Sequence, residues 1–156
     1  MPPTILAATP SDINALIPLM KEYYAFDHLV FVEEKARATL HDMLNNASLG
    51  KIYFIRTHNE LAGYAVMVFI HSLEFHGKAA FLDELYLRES ARGKGVGKRV
   101  LEFLFDECRR LGIGTLRLEV THSNTVAQAV YEKMGFETHD RNIMSKRVHG
   151  EKHVST

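Results

Sequence analysis

The stretch LDELYLRESARGKGVGK, residues 82–98, says more about this chain than any other part of its sequence. It begins as a short apolar strand, passes through a basic turn and continues into a helical pattern. Three glycines lie within five residues of the turn: Gly93, Gly95 and Gly97. Each would cost about 1 kcal/mol against alanine inside a helix or strand, so they are expected to serve backbone shape. Such a turn points successive N–H groups at one spot beside a positive helix end, which predicts a phosphate or pyrophosphate site.

Spacing separates three phosphate-binding patterns. A Walker-type loop needs glycine five residues before its Gly-Lys pair and Ser or Thr after it, but Arg92 and Arg99 occupy those positions. A dinucleotide fingerprint, Gly-x-Gly-x-x-Gly, fails because Lys98 or Val100 stands where its third glycine belongs. The pattern that fits is Arg-x-x-Gly-x-Gly, which begins at Arg92 and ends at Gly97.

A second motif follows at Asn124, with Tyr131 seven residues later and then Gly135-Phe136. Together the two motifs resemble the GNAT superfamily of N-acetyltransferases, whose acetyl-CoA pyrophosphate loop reads Gln/Arg-x-x-Gly-x-Gly/Ala between a strand and a helix. The resemblance covers roughly residues 53–136. Within the superfamily, the run from Gly63 to Leu87 looks like the diamine and polyamine acetyltransferases.

The resemblance implies an α+β fold of three layers (α/β/α) with a mixed central sheet, the GNAT fold. Apolar periodicity agrees with this order of elements. It predicts helices that start near Thr9, over 33–46, after the glycine turn and after Asn124. The predicted strands cover residues 52–56, 62–70, 79–87, 116–120, 136–139 and 143–148. A single domain over residues 1–148 is expected, followed by a flexible tail over 149–156.

The resemblance implies which residues bind acetyl-CoA. Main-chain groups of Leu85, Tyr86 and Leu87 would bond the pantetheine arm and the acyl oxygen. The pyrophosphate would lie on the turn and the start of its helix: Arg92, Gly93, Lys94, Gly95, Val96, Gly97 and Lys98. Asn124 and Tyr131 would contact the cofactor from the next helix, although Asn124 is also an ordinary helix cap.

Acetyl transfer to an amine needs a base and an acid. An amine with a pKa near 10.4 costs about 4 to 5 kcal/mol to deprotonate at pH 7. Asp83 and Glu84 are candidates for the base, and strand alternation predicts that only one of them faces the cleft. Glu119 is a third candidate, because protein N-terminal acetyltransferases carry a base in a similar Leu-Glu-Val segment. The family uses a tyrosine at the position of Tyr131 as general acid toward the leaving thiolate.

The connection after the first helix is a candidate acceptor site. Tyr24, Phe26 and Asp27 lie there and can hold a cationic amine by cation–π and charge contacts, or simply close the hydrophobic core. A small diamine or polyamine-like amine is the first expected acceptor. Protein N-termini, lysine side chains and aminoglycosides remain open, as do a non-catalytic acyl-CoA module and a nucleotide-binding protein.

Composition narrows the classes of partner and cofactor that the chain can have. The 156 residues carry 19 Lys plus Arg and 19 Asp plus Glu, which argues against a nucleic-acid or membrane-surface partner. Cys108 is the single cysteine, so no internal disulfide forms, and the nine histidines lack metal-ligand spacing. With no apolar run long enough to span a membrane and no signal peptide, a cytoplasmic protein without a metal is expected. A homodimer is possible.

Overall fold

The computed structural model describes residues 2–150. Its strands and helices follow in chain order as β1 (Thr4–Ala7), α1 (Ile13–Phe26), α2 (Glu33–Asn45), β2 (Gly50–Thr57), β3 (Glu60–Ser72), β4 (Gly77–Leu87), α3 (Val96–Arg110), β5 (Leu116–Leu118) and α4 (Thr125–Lys133). Short 3-10 turns at Pro10–Asp12 and Glu89–Ala91 precede α1 and the glycine turn. No helix in the described range is long and apolar enough to cross a membrane.

The five strands form one mixed sheet in the order β1-β2-β3-β4-β5. The first four pair antiparallel, and β5 pairs parallel with β4. The mixed sheet of the sequence prediction is therefore confirmed. Because β4 and β5 are parallel, the chain between them must cross over one face of the sheet, and α3 is that crossover.

Helices cover both faces of the sheet. On one face, Leu16, Ile17 and Leu40 from α1 and α2 pack against Ile52, Phe54, Tyr64 and Val66. On the other face, the apolar side of α3 packs against Ile55, Ala65, Met67 and Leu82. The buried α3 residues are Val96, Val100, Leu101, Leu104 and Cys108. The sequence places Cys108 on this packed side, and its thiol lies 3.9 Å from the Met67 sulfur in the core.

Two features of β4 shape the site. Pairing with β5 ends at the Leu82 and Leu118 pair, although β4 continues to Leu87. The strands thus part at the C-terminal end of β4, as the GNAT resemblance implies. In addition, Val66 pairs with Glu84 while Met67 pairs with Leu82, which leaves Asp83 as the extra residue of a β-bulge.

The C-terminal part of the chain differs from the sequence prediction. Residues 136–139 and 143–148 form no strand, so both predicted strands are wrong in this structure. The side chains of residues 137–150 are all exposed, Met144 at 89%, so their alternating apolar pattern has no core to pack against. The prediction also missed β1, a four-residue edge strand with mostly exposed residues. Residues 151–156 of the expected tail lie outside the described range.

Candidate active site

The glycine turn joins β4 to α3 as an open cradle of N–H groups. Gly93 and Gly95 have φ angles of +72° and +75°, a left-handed conformation that is costly for any residue with a Cβ. Gly95 is the N-cap of α3, and Arg99 N–H donates to its carbonyl at 3.2 Å. The N–H groups of residues 96–98 come before this first helical bond, so they point outward from the helix end. This arrangement suits an anion.

Gly97 plays a different part from the other two glycines. It lies inside the first turn of α3 and has no left-handed φ, so the expectation that all three glycines serve backbone shape is wrong for this one. A Cβ at Gly97 would lie 3.8 Å from a methyl carbon of Leu87, which is ordinary contact. The protein itself therefore has room for a side chain here, and the missing Cβ leaves the helix end open to a ligand.

The cations of the turn already have partners within the protein. Arg92 Nε donates to the Leu87 carbonyl at 2.8 Å, and Lys94 Nζ donates to the Ser90 carbonyl at 2.8 Å. Lys98 lies 4.0 Å from Glu102 one turn along α3. Their charges surround the cradle, whereas its hydrogen-bond donors are main-chain groups.

The end of β4 presents main-chain groups to the cleft. Arg88 N–H donates to the Ala62 carbonyl of β3 at 2.7 Å. In an antiparallel ladder bonded and non-bonded pairs alternate, so Leu85 and Leu87 direct their N–H and C=O away from β3. That side is the one that β5 has left. Tyr86 pairs with Tyr64, and its main-chain groups face β3.

Asp83 and Glu84 both lie beside this opening because the bulge interrupts strand alternation. Leu82 is buried on the α3 side of the sheet, whereas Glu84 accepts hydrogen bonds on the α1 side from Tyr64 at 2.5 Å and Tyr24 at 2.8 Å. The expectation that only one of the two carboxylates can face the cleft assumed regular alternation, which the bulge removes. The two carboxylates interact: the charge of Asp83 adds to the raised pKa of Glu84.

The carboxyl groups of Asp83 and Glu84 differ in exposure and in hydrogen bonding. Burial raises the pKa of Glu84, partly offset by the phenol hydrogen bonds, and both of its oxygens are engaged. Asp83 is exposed, yet the surrounding protein still desolvates its carboxyl group and raises its pKa. Asp83 is thus a carboxylate that solvent and a substrate can reach.

An aromatic cluster forms the wall above these carboxylates. The Tyr23 ring lies 5.5 Å from Tyr24, 6.3 Å from Tyr64 and 5.7 Å from Tyr86. Burial and the charges of Asp27, Glu84 and Asp83 raise the pKa of Tyr23 to about 12. Of the residues predicted for the acceptor site, Tyr24 and Phe26 lie in the same last turn of α1 and Asp27 is its C-cap. Tyr64 and the side chain of Tyr86 were not predicted as site residues, because aromatic residues in apolar strands are typical of a hydrophobic core.

Tyr131 lies on α4 at the other side of the opening. Its ring is half-buried and packs edge to face on Phe136 at 5.6 Å. Burial raises the pKa of its phenol, so the hydroxyl stays protonated at neutral pH. The charge of an ionised Tyr131 is one of the causes that raise the pKa of Tyr23. The two phenols are therefore close enough to interact electrostatically.

Asn124 and Glu119 flank Tyr131 in the sequence. The Asn124 side chain accepts a hydrogen bond from Ala127 N–H at 3.1 Å, so it is the N-cap of α4. Glu119 is exposed just after β5, and with Tyr131 it lines a cavity of about 820 Å³ between α3, β5, α4 and the C-terminal segment. Within the described residues, no group of three or more His, Cys, Asp or Glu side chains can hold a metal ion.

A parallel strand pair that parts beside a glycine turn suited to an anion, with Tyr131 at the opening, is the arrangement that the resemblance to acyl-CoA N-acyltransferases implies. The family model described as Acetyltransferase (GNAT) family matches residues 15–136, and the chain belongs to that family. It is an N-acetyltransferase that uses acetyl-CoA.

Individual relatives agree with this assignment. The D-amino-acid N-acetyltransferase HPA3 of Saccharomyces cerevisiae is 28% identical over 137 residues, which cover 86% of this chain and 84% of that protein. The [Ribosomal protein bS18]-alanine N-acetyltransferase of Escherichia coli K12 is 49% identical over only 43 residues, 28% of this chain and 29% of the relative.

Solved structures share the fold over nearly the whole chain. An integron cassette protein from the mobile metagenome of Cole Harbour Salt Marsh superposes with a TM-score of 0.83 at 28% identity and covers 94% of this chain and 91% of that one. The aminoglycoside N-acetyltransferase AAC(6')-Iy, solved with CoA, has a TM-score of 0.79 at 17% identity and covers 94% of this chain and 95% of its own. At that identity the likeness extends to the fold alone.

Proposed function

We propose that this enzyme acetylates the primary amine of a small cationic acceptor, with a diamine or polyamine-like molecule as the first candidate. The observation that carries the proposal is the group of Asp83 and Glu84 beneath the aromatic wall, directly beside the open end of β4. Aromatic faces and carboxylates both attract an ammonium group. The acceptor nitrogen would thus be held where the acyl group must lie.

The cofactor side of the proposal rests on main-chain donors. The N–H groups at the start of α3, over Val96–Lys98, and the left-handed Gly93 and Gly95 suit the pyrophosphate. Leu85 and Leu87 direct main-chain groups toward the pantetheine arm, although the Leu87 carbonyl already accepts from Arg92 Nε. Leu85 N–H would serve the acyl oxygen as that atom gains charge. Tyr86 contributes its side chain to the acceptor wall, since its main chain pairs with β3.

Asp83 is the proposed base. It is exposed to the opening, and its raised pKa makes its carboxylate a somewhat better proton acceptor than an ordinary aspartate. It would take the proton of the ammonium, directly or through water, before the neutral nitrogen attacks the thioester carbon. Glu84 would instead position Tyr24 and Tyr64, whose hydroxyls bond both of its oxygens. Glu119, which lies outside this group, is the remaining alternative base.

Tyr131 is the proposed general acid. As the carbon–sulfur bond breaks, its hydroxyl would give a proton to the departing thiolate. The burial that raises its pKa keeps that proton in place at neutral pH until the thiolate forms. Asn124 would contribute through the cap that fixes the start of α4 and through contact with the cofactor arm.

An α-amino acid is the second acceptor class. HPA3 is named for D-amino acids and aligns with most of this chain, and the Arg92 guanidinium lies beside the aromatic wall, 4.4 Å from the Phe26 ring centroid. A guanidinium there can pair with an acceptor carboxylate. Against this, the carboxylates of Asp27, Glu84 and Asp83 lie close enough to Tyr23 to add to its raised pKa, and their negative charge favours an acceptor without a carboxylate of its own.

The test is CoA-thiol release from acetyl-CoA with a panel of diamines, polyamines, D- and L-amino acids, aminoglycosides and N-terminal peptides. The proposal expects the highest kcat/KM among the diamines or polyamines. Turnover confined to amino acids would move the assignment to the second class. Acetyl-CoA binding without turnover on any amine would favour a non-catalytic acyl-CoA module. Cytoplasmic location and a homodimer stay predictions.

A further inference from the structure

Arg92 links three parts of the molecule. Its backbone opens the glycine turn, and its Nε donates to the Leu87 carbonyl at the end of β4 at 2.8 Å. Its guanidinium carbon lies 4.4 Å above the Phe26 ring centroid and 5.7 Å from that of Tyr86. A side chain of the cofactor loop thus rests on the last residue of α1, which belongs to the acceptor side.

Phe26 has few other means of staying in place. Its side chain is 60% exposed, and its other ring contact is with Tyr86 at 6.4 Å. The helix ends directly after it, with Asp27 as the C-cap and His28 in a left-handed conformation at φ +55°. An exposed aromatic at a helix end is free to move unless something holds it.

The same turn of α1 carries the acceptor wall. Tyr23 and Tyr24 lie three and two residues before Phe26, and Asp27 follows it. When the end of α1 loosens, these side chains lose their positions relative to Glu84 and Asp83. An interaction that orders Phe26 would therefore add order to the acceptor site, beside the Tyr24 hydrogen bond to Glu84.

Binding of a pyrophosphate would supply that order. An anion in the cradle fixes the turn that begins at Arg92, and a pantetheine arm on Leu87 fixes the carbonyl that Arg92 bonds. Both effects keep the guanidinium in one position over Phe26. We propose that the Arg92–Phe26 contact couples acetyl-CoA binding to the ordering of the acceptor site, so that each substrate raises the affinity for the other by the same factor. Arg92 and Phe26 act here as positioning residues, and the inference rests on the acceptor site of the proposed function.

Hydrogen exchange tests the coupling without an acceptor. Amide exchange is measured for the segment 22–31 with and without saturating CoA in the wild type, Arg92→Gln, Phe26→Leu and Lys94→Gln. Glutamine keeps an N–H donor for the Leu87 carbonyl and fits the loop pattern, but it removes the cation from Phe26. Lys94→Gln is the matched control, because it removes one charge from the same turn and Lys94 bonds Ser90 instead.

CoA is expected to slow exchange in this segment roughly two- to five-fold in the wild type and in Lys94→Gln, the size of one exposed cation–π contact. The slowing should disappear in Arg92→Gln and Phe26→Leu. Equal slowing in all four proteins, or none in the wild type, would overturn the coupling. Calorimetric titration with CoA distinguishes a failure of the coupling from a failure of the cofactor site. A wild type that binds no CoA would overturn both the cofactor site and the coupling. A wild type that binds CoA without slower exchange would overturn the coupling alone.

Discussion

Gly95→Ala is expected to weaken acetyl-CoA binding through the backbone alone. Gly95 has a φ of +75°, and a Cβ there would meet nothing within 4 Å, so no clash within the protein contributes. Holding alanine in the left-handed conformation costs roughly 1 to 2 kcal/mol. If the turn relaxes when empty and must return to this shape to bind, the dissociation constant rises by a factor of about 5 to 30, since 1.4 kcal/mol is tenfold.

Isothermal titration calorimetry with acetyl-CoA measures this effect. Asparagine enters the left-handed region at lower cost than alanine, so Gly95→Asn should lose less affinity despite its larger side chain. Gly114→Ala is the control: a Cβ there also meets nothing within 4 Å, and Gly114 has no left-handed φ. An unchanged dissociation constant for Gly95→Ala would mean that the left-handed conformation at Gly95 is not needed for acetyl-CoA binding. A larger loss for asparagine than for alanine would mean that the ligand is crowded by any side chain.

Three further outcomes follow from the same geometry. Tyr131→Phe should lower kcat by about 10² to 10⁴ and leave acetyl-CoA affinity nearly unchanged in calorimetry; an unaltered kcat contradicts the general-acid role. Asp83→Asn should reduce kcat/KM more than Glu84→Gln does, and equal effects of the two variants would contradict the assignment of Asp83 as base and Glu84 as positioning residue. Because the base must be ionised, wild-type kcat/KM should also fall as the pH drops through the raised pKa of Asp83. Arg110 lowers the pKa of Glu107 to about 2 from 4.5, so this carboxylate stabilises the fold above pH 4.5 and the stabilisation is lost toward pH 2. At about 1.36 kcal/mol per unit the loss is up to roughly 3 kcal/mol, and denaturant titrations across this pH range should show a smaller loss for Glu107→Gln.

Local sequence patterns predicted most of the fold. The helices have clear apolar periodicity, and the hairpin between β2 and β3 turns at His58 and Asn59, both with left-handed φ. These signals lie within a few residues of the structure they specify. The Asn124 cap is of the same kind, since its amide bonds a backbone group three residues away.

The remaining differences depend on distant partners. The bulge at Asp83 arises from the register between β3 and β4, so alternation along one strand could not reveal that both carboxylates lie beside the opening. The side chain of Arg92 contacts Leu87 and Phe26 rather than the cradle. These contacts depend on the tertiary structure, so the local sequence could not predict them. The segment 143–148 has a strand-like pattern, but its side chains are exposed, and pattern alone does not supply a neighbouring strand.

Transfer of the acetyl group to a small cationic amine can be measured in a single reaction. The most direct measurement incubates the enzyme with acetyl-CoA and putrescine, and quantifies N-acetylputrescine by mass spectrometry beside free CoA thiol. We expect equal amounts of both products, and loss of both in Asp83→Asn. Thiol release without an acetylated amine, or acetylation that persists undiminished in Asp83→Asn, would contradict it.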